Sequence, residues 1–153
     1  MRRSAKMESV SIRDAVPGDA AQIAELITAL GYPTTPEAMR DRLALIMADP
    51  RYATFVADRD GSVLGVAGCA LGRYYEKDGL YSQLVVLAVS SSAQGQGIGA
   101  RLVEAIAAWS SSRGARAVIV NSGLHRVDAH RFYERCGYSR TGFRFVKPLG
   151  GAG

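Results

Sequence analysis

The sequence predicts an α/β domain, and two observations carry that reading. The run Leu84–Val89 is apolar throughout and holds three valines, the composition of a strand buried on both faces. Serines 90–92 stop it. After the glycine-rich Gln94-Gly95-Gln96-Gly97-Ile98-Gly99, a helix opens in which Ile98, Leu102, Ile106 and Trp109 recur at spacings of four, four and three. At 153 residues the chain fits one domain, residues 1–153, and a chain of this size removes about 68–70% of its unfolded surface from water.

Residues 1–6 read as an unstructured leader, with Met7 a candidate natural start. Ser9–Ala15 forms the first strand, and Pro17-Gly18-Asp19 turns it into a helix capped by Asp19. Ile23, Leu26, Ile27 and Leu30 give that helix its i, i+3, i+4, i+7 face, and Gly31 ends it. A second helix starts at Thr35-Pro36-Glu37, with Thr as cap and Pro at the first position, and Met39, Leu43, Ile46 and Met47 line its inner side. Tyr52–Ala57 and Val63–Leu71 are rich in β formers and joined by Asp58-Arg59-Asp60-Gly61, which makes a hairpin. Gly65 and Gly68 mark bulges or close packing.

A polar segment, Arg73–Gly79, precedes the strand Leu84–Val89. Its Glu76 and Asp78 are candidates for a general base, and equally for solvated acids at a hairpin tip. Beyond the glycine-loop helix, Arg113-Gly114-Ala115 makes a turn and Ala117–Asn121 a further buried strand. A short helix follows around residues 128–137, and Tyr138–Leu149 supplies two short strands split at Thr141-Gly142. Gly150–Gly153 frays.

The glycine loop is where chemistry concentrates. The first turn of a helix leaves four N–H donors unpaired and carries partial positive charge, so a phosphate or pyrophosphate suits it. A nucleotide P-loop would end in Gly-Lys-Ser/Thr, whereas Gly99 is followed by Ala100 and Arg101. Gly95, Gly97 and Ala100 satisfy a dinucleotide fingerprint, but that motif belongs after the first strand of a long parallel sheet, and Arg116–Leu124 offers no acid for a ribose. A tight strand-to-helix turn with no ligand is the third reading.

The net charge of +5, from 19 Lys and Arg against 14 Asp and Glu, admits a polyanionic partner. The basic residues are scattered and lack the aromatic strand of an RNA-binding module, which argues against nucleic acid. There is no apolar run of membrane-spanning length and no secretory core near the N-terminus, so a cytoplasmic protein with no membrane partner is expected. Cys69 and Cys136 are not paired as CxxC, the chain has only two His, and no metal is expected. Both thiols read as reduced and buried.

Two blocks resemble the GNAT superfamily of N-acetyltransferases. Gln94-x-x-Gly97-x-Gly99 after an apolar strand looks like its acyl-CoA signature. About 30 residues later, Ala129, Phe132, Tyr133, Glu134, Gly137 and Tyr138 match its short helix of Ala, an apolar residue, Tyr, Glu, Gly and an aromatic. The resemblance runs from about Val10 to Leu149. It implies a mixed, mostly antiparallel sheet of about seven strands, splayed near Val89, with helices on both faces. It further implies that acetyl-CoA enters the splay as cosubstrate: backbone groups around Leu87 and Val89 pair with the pantetheine arm, while Gln94, Gly95, Gly97, Gly99 and Ala100 hold the pyrophosphate.

By the same resemblance Tyr133 lies near the sulfur and protonates the departing thiolate, and Tyr32 is a candidate acceptor contact. Where the family often has Asn, three residues before Ala129, this chain has Arg126, which either reaches a CoA phosphate or pairs with Asp128. His125 reads as a solvent-facing loop residue. The reaction implied is direct acetyl transfer to a primary amine of a small molecule or peptide, in a family where homodimers are common. An acyl-CoA-binding sensor without turnover and a protein-interaction module are the non-catalytic alternatives.

Overall fold

The structure, a computed structural model, describes residues 9–121, 127–142 and 144–150. The chain divides into two compact units, residues 1–120 and 121–153. In the first, strands β1 (Val10–Asp14), β2 (Tyr52–Arg59), β3 (Ser62–Arg73), β4 (Leu80–Val89) and β5 (Ala115–Val120) form one sheet in sequential order. The pairs from β1 to β4 are antiparallel and β4 pairs β5 in parallel. A parallel neighbour requires a crossover, and the helix α3 (Ile98–Ser112) supplies it.

Local signals set most boundaries. Helix α1 (Ala20–Leu30) ends at Gly31, whose N–H bonds back to the carbonyls of Ile27 and Thr28. Helix α2 (Pro36–Met47) starts at Thr35, whose hydroxyl accepts the Ala38 N–H at 3.1 Å. Asp60 and Gly61 form the two-residue turn between β2 and β3, with φ of 51° and 90°. Asp19 stands at the N-cap position of α1 without capping it. Its carboxylate instead accepts the Val16 N–H at 2.8 Å and a two-pronged contact from Arg13 at 2.8 and 2.9 Å.

Helices cover both faces of this sheet. Ile23, Ala24 and Leu26 of α1 and Met39 and Leu43 of α2 pack with Val56, Val66 and Ala88. Successive strand residues face opposite ways, so Gly65 points to the other side, where an added β-carbon would lie 2.9 Å from Leu102 and 3.2 Å from Ile98. That is the α3 layer. Ile98, Leu102 and Ile106 are completely buried beneath it, each contributing about 1.5–3 kcal/mol of apolar burial.

Several expectations are corrected. Five strands form among the described residues rather than about seven. The described part of Tyr138–Leu149 carries none, because β-forming residues become a strand only beside a hydrogen-bonding neighbour. Strand β4 is not buried on both faces: Val85 is 52% exposed. Residues Ala115–Val120 are half-buried or exposed, since β5 is the last strand of the described sheet. Met47 faces outward, while Met39 and Leu43 are buried as expected.

The second unit contains α4 (Val127–Arg135). The ring of Tyr133 meets Phe132 edge-to-face and Tyr138 at a tilt, with centroids 5.3 and 5.8 Å apart. The Tyr138 N–H returns to the Tyr133 carbonyl at 2.9 Å and closes the helix end. Among the described residues no helix is long and apolar enough to cross a membrane.

Candidate active site

The end of β4 combines a bulge, an unpaired edge and the glycine loop. Gly68 pairs with Val86 and Cys69 with Leu84, so Val85 has no partner on β3 and is the bulged residue. The extra residue reverses the alternation. Ser82 and Leu84 before it, and Leu87 and Val89 after it, all lie opposite β3 residues of the α3-facing side, whereas Val86 and Ala88 turn to the α1 and α2 side.

Among the described residues the parallel pairing with β5 ends at the same place. Its last register pair is Leu84 with Val120, and among the described residues Val85–Val89 have no neighbour on that side. A bulge bends a strand and strengthens its local twist, which drives the second half of β4 away from β5. Among the described residues the β4 edge is therefore open from Val85 onward, along the stretch that ends at Val89, where the splay was expected.

Backbone phase decides which groups the opening offers. The Ser90 N–H donates to Leu64 of β3 at 2.7 Å. Strand residues present their N–H and C=O to alternate neighbours, so Ala88 points to β3 while Leu87 and Val89 point away from it. These are the two residues the sequence singled out. The Val89 carbonyl accepts the Gln94 side-chain amide at 3.1 Å, tying the loop to the strand end.

A single turn of 3-10 helix, Ser91–Ala93, leads into the loop, and buried Ala93 anchors it. Gly95 and Gly97 have φ of 76° and 77°, in the left-handed region that side chains oppose, and Gly97 is the N-cap of α3. The first helical bond of α3 runs from the Arg101 N–H to the Gly97 carbonyl at 3.2 Å. From Gln94 through Ala100, no backbone N–H makes a well-formed hydrogen bond to another described group. Gly99 and Ala100 lie in the first turn of α3, where small side chains leave those donors accessible. Such an array at a positive helix terminus is suited to pyrophosphate.

Glu76 and Asp78 lie just ahead of β4, at the opposite end of that strand from the loop, and both are exposed. Strand β4 starts at Leu80, five residues before Val85, so a rise of about 3.3 Å per residue puts roughly 16 Å of strand between its start, which both acids precede, and the opening. Neither is brought to it. Tyr32, in the connector between α1 and α2, is 67% exposed. Tyr133 is half-buried in α4, next to Phe132 and Tyr138. Arg126 and His125 lie outside the described residues.

Burial pushes the thiols of Cys69 and Cys136 up, so both are protonated near neutrality and unsuited to carrying an acyl group. Cys69 is fully buried, but Cys136 only half-buried. The buried hydroxyls of Ser82 and Ser110 have no well-formed hydrogen bond, and the Cys69 thiol is their weak polar neighbour.

One residue beside the loop escaped the sequence reading. Arg59, at the end of β2, donates to the Gln96 side chain at 2.7 Å. Its available signal was period-two counting from Ala57, which puts it on the α3-facing side of the sheet.

Comparison with known proteins agrees with this geometry. Residues 20–138 match the model of the acetyltransferase (GNAT) family. An aminoalkylphosphonate N-acetyltransferase of Salmonella typhimurium is 30% identical over 97% of each chain. An aminoglycoside N(6')-acetyltransferase of Stenotrophomonas maltophilia is 32% identical over 86% of this chain and 87% of its own. Among solved structures, a GNAT family acetyltransferase of Staphylococcus aureus superposes with a TM-score of 0.80 at 25% identity, covering 92% of this chain and 99% of that one.

Proposed function

The chain belongs to the GNAT acetyltransferase family, whose members use acetyl-CoA, and from that premise we propose that it moves acetyl from acetyl-CoA directly to a primary amine of a small molecule. The observation that carries the reading is the continuity of the β4 edge at Leu87 and Val89, open among the described residues, with the N–H groups of Gln94–Ala100, which make no well-formed hydrogen bond to another described group. The first fits the amide-bearing pantetheine arm, which can lie along β4 like an added strand. The second fits the pyrophosphate.

The donor supplies an activated thioester. Residues of the chain bind and orient it, and a backbone N–H of the open β4 edge polarises its carbonyl toward attack. Nitrogen–carbon bond formation and carbon–sulfur cleavage then complete the transfer without a covalent enzyme intermediate. In this reading the Tyr133 hydroxyl gives its proton to the departing thiolate. With Glu76 and Asp78 at the far end of β4, the amine loses its proton to water.

The acceptor class is supported by two curated relatives named for small amines, an aminoalkylphosphonate and aminoglycosides, which this chain matches over most of their lengths. The test incubates the purified protein with acetyl-CoA and a panel of aminoalkylphosphonates, aminoglycosides, polyamines, amino acids and peptides. Mass detection of an acetylated product with matching release of CoA is expected for a small amine. Tight CoA binding with no product from any amine would favour a non-catalytic acyl-CoA sensor. Acetylation of peptides alone would overturn the small-molecule assignment.

A further inference from the structure

We propose that Arg59 is a phosphate-contact residue, reaching the anionic end of acyl-CoA from the β2–β3 hairpin. The proposal rests on the acyl-CoA reading above and adds to the site a residue far from the glycine motif in sequence. Arg59 follows Ala57 by two positions and shares its α3-facing side of the sheet. Its Nη2 donates to Gln96 Oε1 at 2.7 Å, which holds the guanidinium against the loop, while its Nε is buried without a partner.

A second cation is anchored close by. Arg59 is in register with Val10 of β1, and the Val10 carbonyl accepts Arg101 Nη1 at 3.0 Å. Two guanidinium groups thus gather at the end of α3 where the helix is already positive and its N–H groups are unfilled. Among the described residues neither is in an ion pair, whereas Arg13 and Arg51 each hold a carboxylate. Like charges collected around a positive helix end repel one another unless an anion joins them, and a polyphosphate ester satisfies that requirement. With Nη2 fixed on Gln96 and Nε buried, Nη1 is the part of the Arg59 fork left to bind phosphate oxygens.

The experiment measures binding of CoA and dephospho-CoA by calorimetry, and of phosphate-free pantetheine by ligand-observed NMR, to the full chain and to Arg59→Ala and Arg59→Gln. Glutamine keeps much of the length and a donor for Gln96 while removing the charge, so it serves if the alanine variant does not fold. Charge-assisted contacts of this kind predict CoA affinity lowered roughly 10- to 100-fold, with pantetheine affinity unchanged. A larger loss for CoA than for dephospho-CoA assigns the 3′-phosphate, and equal losses assign the pyrophosphate. Unchanged CoA affinity in a folded variant overturns the proposal, as does an equal loss for pantetheine, which would mark a merely structural role. If the wild-type protein binds no CoA, the acyl-CoA reading itself fails and this assignment with it.

Discussion

The side-chain amide of Gln94 donates to the carbonyl of Val89 at 3.1 Å, fastening the first residue of the glycine loop to the last residue of β4. Gln94 therefore acts on the strand end, and its effect on a bound anion runs through the placement of the loop backbone.

Replacing Gln94 by Glu removes the donor, sets a carboxylate against a carbonyl oxygen and adds negative charge at the positive end of α3. The expected cost to CoA binding is about 1–2 kcal/mol, roughly 5- to 30-fold in affinity, with a smaller loss for Gln94→Ala. Calorimetry checks both. An unaltered affinity in the Glu variant means that no anion lies against this loop.

Gly97 and Gly95 have nearly the same left-handed backbone, φ 77° and 76°, so a side chain at either costs about 1–3 kcal/mol of strain. Gly114, beyond the far end of α3, has φ of 85° and nothing within 4 Å of an added β-carbon, which makes Gly114→Ala a control for strain alone, outside the loop. Gly97→Val should lose CoA binding by at least tenfold more than that control, because Gly97 is the N-cap through which the backbone approaches the pyrophosphate. Thermal melts confirm folding and calorimetry reads the difference. Equal affinities for the two variants would remove Gly97 from the phosphate site.

Features set by a few neighbouring residues were legible in the sequence. The Thr35 cap, the Gly31 helix end, the hairpin turning within Asp58–Gly61 and the stripe of Ile98, Leu102 and Ile106 each depend on local geometry. Gly68 marks a bulge or close packing in the sequence, and the β3–β4 register shift falls beside it; that the extra residue is Val85 of β4 was not legible, because Leu84–Val89 is apolar at every position and a phase slip leaves no mark on such a run. Its effect, the opening of the sheet, came from the family resemblance, and its position only from the register of β4 against β3 and β5. The approach of Arg59 to Gln96 arises from strand order, which joins segments 37 residues apart in sequence. The use of Asp19 as an anchor for Arg13 is likewise tertiary: the sequence offered it as a cap, and the guanidinium competed successfully for its oxygens.

That anchor makes stability depend on pH. The hydrogen bonds from Arg13 hold the Asp19 carboxyl below its ordinary value of 3.8, against the opposing effect of burial. A carboxyl depressed in the folded state contributes its full stabilisation above the unfolded value, near pH 4 and higher. That stabilisation is lost as pH falls through the lower folded-state value. Asp19→Asn should therefore destabilise the protein by about 1–2 kcal/mol at pH 7, and the gap from wild type should narrow steadily below pH 4. Urea unfolding across pH 2.5–7 tests this. A gap independent of pH would show that hydrogen-bond geometry at Asp19 matters and its charge does not.

Tyr133 carries the chemical assignment that rests most on resemblance, and its chemistry can be isolated from its packing. A phenol is a weak acid whose hydroxyl can donate a proton as charge develops on sulfur. Yet Tyr133 is also a packing residue, its ring against Phe132 and Tyr138 and its carbonyl accepting the Tyr138 N–H. Tyr133→Phe preserves the ring and the backbone bond and removes the hydroxyl proton. If Tyr133 is the acid, kcat with a verified amine should fall roughly 10- to 1,000-fold, while acetyl-CoA affinity and melting temperature change little. A structural role alone predicts the opposite pattern, lowered thermal stability with kcat retained. The measurement must be made where chemistry limits turnover, because slow product release would hide the loss of the proton donor. A wild-type kcat under that condition assigns protonation of the thiolate to water or to another residue.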